Sequence, residues 1–137
     1  MNERAVASML IFGMVIRAGA AMATGLDGTA PVVCATTQTF DCAAGGDCIA
    51  DSPDAINLPQ LLRLDFAARK AITKRPSGAE RVAEIGALTI QEGELVLQGV
   101  QAGHGWSMAI SRGTGAMSLT IAGDGSGFVV FGTCTAL

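Results

Sequence analysis

Hydrophobic and polar residues alternate along several short stretches of this chain, which is typical of β-strands with one buried face. In the first clear example, Leu62, Leu64 and Phe66 alternate with Arg63 and Asp65. This alternation places the apolar side chains on one side of a sheet and leaves the charged side chains in water. A half-buried strand is therefore predicted here.

The strongest strand signals lie towards the C-terminus. Apolar residues alternate with small or polar ones over residues 106–110 and again over residues 117–121. The glycine-rich run 112–115 separates the two stretches, so a hairpin with matched apolar faces is predicted. A second glycine-rich reversal at 123–127 leads into residues 128–133, which are apolar on both faces. A strand of that kind is expected inside a sheet or under another element.

Weaker strand signals occupy much of the remaining chain, at residues 31–40, 71–74, 82–85, 88–90 and 95–100. Residues 51–59 contain two prolines and are expected to be a loop or at most one helical turn, whereas residues 99–105 are expected to be a turn. The predicted fold is all-β, an antiparallel up-and-down meander of about seven or eight short strands. Closure into a small barrel or a folded-over sheet is expected, because it hides the apolar face.

The N-terminal 23 residues have the layout of an export signal. A charged start, residues 1–4, precedes the apolar run 5–16 and the small residues 18–23. Cleavage after Ala23 would leave one exported β domain at 24–137; the alternative cleavage site follows Ala20. An uncleaved N-terminal anchor is the alternative. The apolar run is shorter than the roughly 20 residues that cross a bilayer. No stable membrane insertion is expected once the signal has been removed.

Composition and charge limit the classes of partner and fold that this chain can have. The chain has 9 Lys and Arg against 12 Asp and Glu; losing Arg4, Arg17 and Glu3 with the signal leaves seven against eleven, a net charge of −4. A mildly acidic exported domain argues against a nucleic-acid partner. The 18 glycines and the 15% of charged residues fit a turn-rich β protein.

Four cysteines fall in the exported part, and in an oxidising compartment an even number first indicates disulfides. Three pairings are possible. Cys42 and Cys48 flank a short glycine-containing loop that can close locally, which would leave Cys34 to join Cys134 and tie the first predicted strand to the last. No metal or cofactor is predicted, because the close pair has C-x₅-C spacing and His104 is the single histidine.

Several stretches carry a resemblance to small exported proteins of proteobacteria that have no assigned activity. They are Asn57-Leu58-Pro59, Leu64-Asp65-Phe66-Ala67-Ala68, Leu97-Gln98-Gly99-Val100, Trp106-Ser107-Met108, Thr114-Gly115-Ala116-Met117-Ser118-Leu119 and Gly125-Ser126-Gly127-Phe128-Val129-Val130-Phe131-Gly132-Thr133-Cys134. The resemblance covers most of the exported part, implies a bacterial source and a periplasmic or secreted location, and transfers no catalytic residue. A looser architectural likeness is to periplasmic lysozyme inhibitors, whose Ser-Gly-x-x-Tyr loop is absent from this tyrosine-free chain.

Two groups of residues invite a chemical interpretation. Trp106, Met108 and Met117 are the candidate ligand-binding residues, as the lining of an apolar pocket in a barrel mouth; the alternative is that they are simply core. Ser107 lies near a nucleophile-elbow pattern, but it falls within an alternating strand, and His104 is expected to be a solvated turn residue. No catalytic residue is therefore predicted.

These observations favour a non-enzymatic binding module for a protein, an envelope component or a small apolar ligand. A purely structural or stress-protective envelope protein is the main alternative. A hydrolase using Ser107 and His104 is the remaining one.

Overall fold

The computed structural model describes residues 25–75 and 77–137, so the signal predicted at 1–23 and its cleavage sites lie outside the described residues. The described residues form ten β-strands and one 3₁₀ turn, Pro53–Ile56. The strands are β1 (Val32–Ala43), β2 (Cys48–Asp51), β3 (Leu61–Asp65), β4 (Lys70–Lys74), β5 (Glu80–Glu84), β6 (Ala87–Gln91), β7 (Glu94–Gln101), β8 (His104–Ser111), β9 (Ala116–Gly123) and β10 (Ser126–Ala136). The predicted all-β class is confirmed, with ten strands rather than seven or eight.

All ten strands belong to one antiparallel sheet, in the order β5-β4-β3-β1-β10-β9-β8-β7-β6, with β2 paired to β1 beside that path. The final strand, apolar on both faces, lies between β1 and β9, as predicted. Among the described residues, no helix is long and apolar enough to cross a membrane.

The sheet curls into a half-barrel because its two end strands are neighbours in the chain. Only Ile85 and Gly86 separate β5 from β6, although the two strands stand at opposite ends of the sheet. The Gly86 N–H donates to the Gln98 carbonyl at 2.8 Å, and the Gln101 Nε2 donates to the Val82 carbonyl at 3.1 Å. These bonds join β5 to β7 along a line that we call the closing seam.

The hydrophobic core fills the inside of this curl. Its members sit mainly at every second position of their strands, which places them on one face. The buried apolar residues are Leu26, Val32, Cys34, Leu62, Leu64, Phe66, Ile85, Leu95, Leu97, Met108, Ile110, Met117, Leu119, Val130 and Cys134. The alternation read from residues 62–66, 106–110 and 117–121 thus identifies the inner face of three strands.

Two disulfides are present, as expected for four cysteines. Cys34 and Cys134 are directly opposite on β1 and β10 and are bonded across a sequence separation of 100. Cys42 is bonded to Cys48, joining β1 to β2 across a separation of 6. Two disulfides in a small domain indicate an oxidising environment of the kind that exported proteins meet.

Two local predictions need correction. β2 was not predicted, because all four of its side chains are exposed and no alternation marks them. The turn expected over residues 99–105 is only two residues long, since β7 continues to Gln101 and β8 begins at His104. Ala102 and Gly103 both have positive φ, at 49° and 81°, as a tight two-residue hairpin turn requires.

Candidate functional site

A cavity of about 360 Å³ opens at one end of the half-barrel. We call this end the mouth; it is where β8 begins and β9 ends. Buried Leu62, Met108 and Leu119 line the cavity at its inner end, where it meets the core. Ile121 and Phe128 line its wall from β9 and β10. The mouth therefore exposes a concave apolar surface that is continuous with the core.

One side of the cavity is made by residues 56–59, which we call the 56–59 segment. It follows the 3₁₀ turn, whose end is fixed by a bond from the Leu58 N–H to the Pro53 carbonyl at 2.9 Å. Asn57 has a left-handed φ of 57°, which reverses the chain. Gln60 comes directly after the segment, and its carbonyl accepts a hydrogen bond from the Thr36 N–H of β1 at 2.8 Å. The segment is thus tied to the 3₁₀ turn at its start and to β1 immediately after its end.

Two ring side chains on β8 reach the cavity by lying over glycines of the neighbouring strands. Trp106 is paired in register with Gly99, and a Cβ built on Gly99 would lie 2.5 Å from the indole ring. A Cβ built on Gly123 would lie 2.8 Å from the His104 ring. Glycine at these two positions leaves the space that the rings occupy.

The indole N–H of Trp106 is buried and has no hydrogen-bond partner among the described residues. A buried donor without a partner costs about 1 to 3 kcal/mol, so folded proteins contain few of them. The other such group is the hydroxyl of Thr39, on β1 opposite Val130. Trp106 therefore combines a large apolar surface with an unsatisfied donor at the wall of the cavity.

His104 is not the solvated turn residue that the sequence led us to expect. It is the first residue of β8, half-buried, and its Nδ1 is 3.1 Å from the Ala102 carbonyl oxygen. It also lines the cavity. The prediction failed because the turn is only two residues long, so β8 begins at His104. His104 is then two residues before Trp106 and four before Met108, on the same inner face of the strand.

Ser107 lies on the other face of β8 from His104. Side chains an odd number of residues apart on a strand point to opposite sides, and these two are three apart. The structure thus does not bring the hydroxyl and the imidazole together on a common face, as a nucleophile and its base require.

Two of the three predicted ligand-binding residues line the cavity. Trp106 and Met108 both line the cavity, whereas Met117 pairs in register with Ile110 and belongs to the core. Ile110 is four residues from Trp106 along β8, about 13 Å at the usual rise per residue. Met117 is therefore structural in this fold, away from the mouth.

Polar side chains of the mouth gather near the closing seam. Thr73, Arg81, Gln101 and His104 line the cavity there, and Asn57 adds an amide from the 56–59 segment. Thr73 donates from Oγ1 to the Arg81 carbonyl at 3.4 Å. Within residues 25–75 and 77–137, no aspartate or glutamate lines the cavity.

Comparison with known proteins gives no relative. No family model matches the chain, and no curated protein or solved structure is similar to it. In the part of the chain that the structure describes, no three His, Cys, Asp or Glu side chains group in a way that could hold a metal ion. All four cysteines are in disulfides.

Sequence reasoning missed Arg81, Phe128 and the 56–59 segment as parts of the site. Phe128 could have been found, because it lies in register with Ile121, which continues the alternation of β9. Arg81 and the 56–59 segment reach the mouth only through the curl of the sheet, for which the linear sequence has no short-range signal.

Proposed function

We propose that this chain is an exported, non-enzymatic binding module that takes a small apolar ligand into the mouth cavity. The observation that carries the proposal is the cavity itself, about 360 Å³ and lined mainly by apolar side chains. Small-molecule sites typically have volumes of roughly 300 to 1,000 Å³, apolar walls and a few polar groups. The mouth has all three features.

The proposed location is periplasmic or secreted. Two disulfides in a domain of this size support it, together with the signal-like pattern of residues 1–23. A bacterial source is part of the same proposal and rests on the sequence resemblance.

A purely structural or stress-protective role has less support, because such a protein would have no reason to keep its apolar inner face open at one end. The hydrolase alternative also has less support, since Ser107 and His104 lie on opposite faces of β8. A protein or envelope partner stays compatible with the mouth if it inserts an apolar group.

The single tryptophan makes the proposal directly testable, because Trp106 lines the cavity and the chain has no tyrosine. The oxidised domain, residues 24–137, is titrated with 1-decanol while Trp106 fluorescence is recorded. We expect a saturable change that fits one site per chain.

A cavity-filling variant supplies the decisive comparison. Ala83 lines the cavity opposite Ala71, so Ala83→Leu is expected to abolish the saturable signal by occupying the space. Ala122→Leu, on the exposed outer face of β9, adds the same volume and should bind as the unmodified domain does. No saturable change in the unmodified domain, or equal binding by both variants, would refute the proposal.

A further inference from the structure

The cavity lining differs in charge from the domain as a whole. Residues 24–137 contain eleven carboxylates and seven basic side chains, yet in the described chain no carboxylate lines the cavity. Arg81 lines it, and a guanidinium carries its positive charge at any physiological pH. The cavity thus combines an apolar interior with one fixed cation, inside an acidic protein.

The backbone at Arg81 is held in place by hydrogen bonds beside the closing seam. Arg81 is half-buried on β5, in register with Thr73, whose hydroxyl donates to the Arg81 carbonyl. The next carbonyl, that of Val82, accepts the bond from Gln101 across the closing seam. The backbone that carries Arg81 is therefore held by two strands besides its own.

The large apolar side chains and the cation of the cavity lining lie on different strands. Trp106, Met108 and Leu119 lie on adjacent strands β8 and β9, whereas Arg81 and Thr73 lie on β5 and β4 beyond the closing seam. A ligand that fills the cavity therefore meets an apolar surface on one side and a cation on the other. This asymmetry matches an amphiphile better than a hydrocarbon.

We propose that the mouth binds a small amphiphile with a single carboxylate headgroup, the headgroup at Arg81 and the apolar tail against Trp106 and Met108. The inference rests on the proposed function and specifies its ligand. A guanidinium pairs with a carboxylate through two parallel hydrogen bonds, and such charge-assisted bonds strengthen where water is partly excluded. A volume at the small end of the usual range favours a medium-length tail.

Three ligands with the same tail separate headgroup recognition from apolar binding: decanoate, 1-decanol and decyltrimethylammonium, each kept below its micelle concentration. Dissociation constants are measured from Trp106 fluorescence and by calorimetry. We expect decanoate to bind about tenfold or more tighter than 1-decanol, since hydrogen bonds to charged groups contribute more than neutral ones. Decyltrimethylammonium should bind most weakly because its charge repels Arg81.

Two matched variants test the residue. Arg81→Gln should weaken decanoate about tenfold and weaken 1-decanol much less, and retained 1-decanol binding also shows that the variant is folded. Arg63→Gln removes the same charge from the exposed outer face of β3 and should change neither constant.

Each outcome separates the two proposals. Equal affinity for decanoate and 1-decanol, or equal loss of decanoate binding in Arg81→Gln and Arg63→Gln, overturns headgroup recognition and leaves the apolar site standing. Failure of all three ligands to bind the unmodified domain overturns the proposed function itself. If Arg81→Gln does not fold, the order of the three ligands on the unmodified domain decides the inference.

Discussion

The two ends of the half-barrel are built from the same strands, but one is filled and the other is open. At the end opposite the mouth, which we call the closed end, Leu26 is buried and its carbonyl accepts a bond from Arg112 Nε at 2.9 Å. Gly28 packs there close to the side chains of Leu95 and Ile90. At the mouth, the 56–59 segment lines one side of the cavity and leaves its centre empty.

The difference shows that alternating apolar residues identify the inward face of a strand. They do not show whether an inward side chain packs in the core or lines the cavity. Met108 and Met117 occupy equivalent inward positions on adjacent strands, and both are buried. Residues 25–30 cover the closed end; Met117 pairs with Ile110, two residues further from the mouth along β8 than Met108, which lines the cavity. What separates the two methionines is the connecting segment that covers each end.

The largest expected effect comes from removing the disulfide nearer the closed end. Replacing both Cys34 and Cys134 by Ala should lower the free energy of unfolding by about 4 to 5 kcal/mol, because this bridge closes a loop spanning a sequence separation of 100. Replacing Cys42 and Cys48 by Ala, near the mouth, should cost only about 2 kcal/mol for its short loop. Urea unfolding of the two double variants measures both losses, and equal losses would contradict the expected ranking.

The two methionines give the next largest effect. Met117→Ala should destabilise the domain by about 2 to 5 kcal/mol, because it leaves a void in packed core. Met108→Ala extends a space that already exists, so we expect its cost at the lower end of that range. The same unfolding measurement checks the order. If Met108→Ala proves the more damaging, the mouth is packed like the closed end and the comparison fails.

A smaller effect is expected from closing the gap beneath the indole. A Cβ at Gly99 would lie 2.5 Å from both the indole ring and the Glu84 carbonyl oxygen, so Gly99→Ala should cost about 1 to 3 kcal/mol, as overpacking does, and should move Trp106 from its place in the cavity wall. A shifted fluorescence maximum and weakened 1-decanol binding would report that movement. Gly105→Ala is the control, since nothing lies within 4 Å of a Cβ built there. An unchanged spectrum in Gly99→Ala would show that the glycine is not needed to seat the ring.

The smallest effect concerns the exposed carboxylate of Asp27 in the segment that covers the closed end. The Thr29 hydroxyl donates to it at 2.6 Å, followed by the Thr29 N–H at 2.9 Å, and these bonds hold the pKa of Asp27 below its ordinary value of 3.8. The carboxylate therefore stabilises the fold above that ordinary value, and its contribution is lost as pH falls through the lowered pKa.

Asp27→Ala should accordingly be slightly less stable than the unmodified domain at neutral pH, and the difference should shrink in acid. Thermal unfolding at several pH values from neutral down to about 3 follows it. Asp47→Ala, which removes a charge from the exposed loop between β1 and β2, is the control. A difference that grows as the pH is lowered would contradict the assigned role of the Thr29 bonds.

The sequence predicted the strands in which every second residue is apolar. The inward faces of β3, β8 and β9 follow from alternation alone, and the position of β10 inside the sheet follows from its two apolar faces. The exposed strand β2 has no such pattern. The sequence separates strands at 82–85 and 88–90, as in β5 and β6, but the pairing of these two strands with different neighbours depends on the curl of the whole sheet.

Only the site residues that share one face of one strand could be predicted from the sequence. Trp106 and Met108 share one face of one strand, so their common orientation follows from the sequence. Met117 was grouped with them because it is apolar and near in the chain, but hairpin register pairs it with Ile110. Arg81 is distant in sequence and reaches the mouth through the closing seam, so only the folded chain reveals it.

The pairing of β1 with β10 also imposes an order of assembly. The hairpins β7–β8, β8–β9 and β9–β10 join strands that are consecutive in the chain, so they can form as soon as both of their strands are available. β1 can pair early with β2 and β3 along one edge, but its other edge must wait for β10, whose Cys134 lies 100 residues beyond Cys34. Contacts of such long sequence separation form slowly. In kinetic terms, β1 is the first strand in the chain but the last to gain neighbours on both edges. A chain delivered with its N-terminus leading keeps one edge of β1 unpaired until β10 follows.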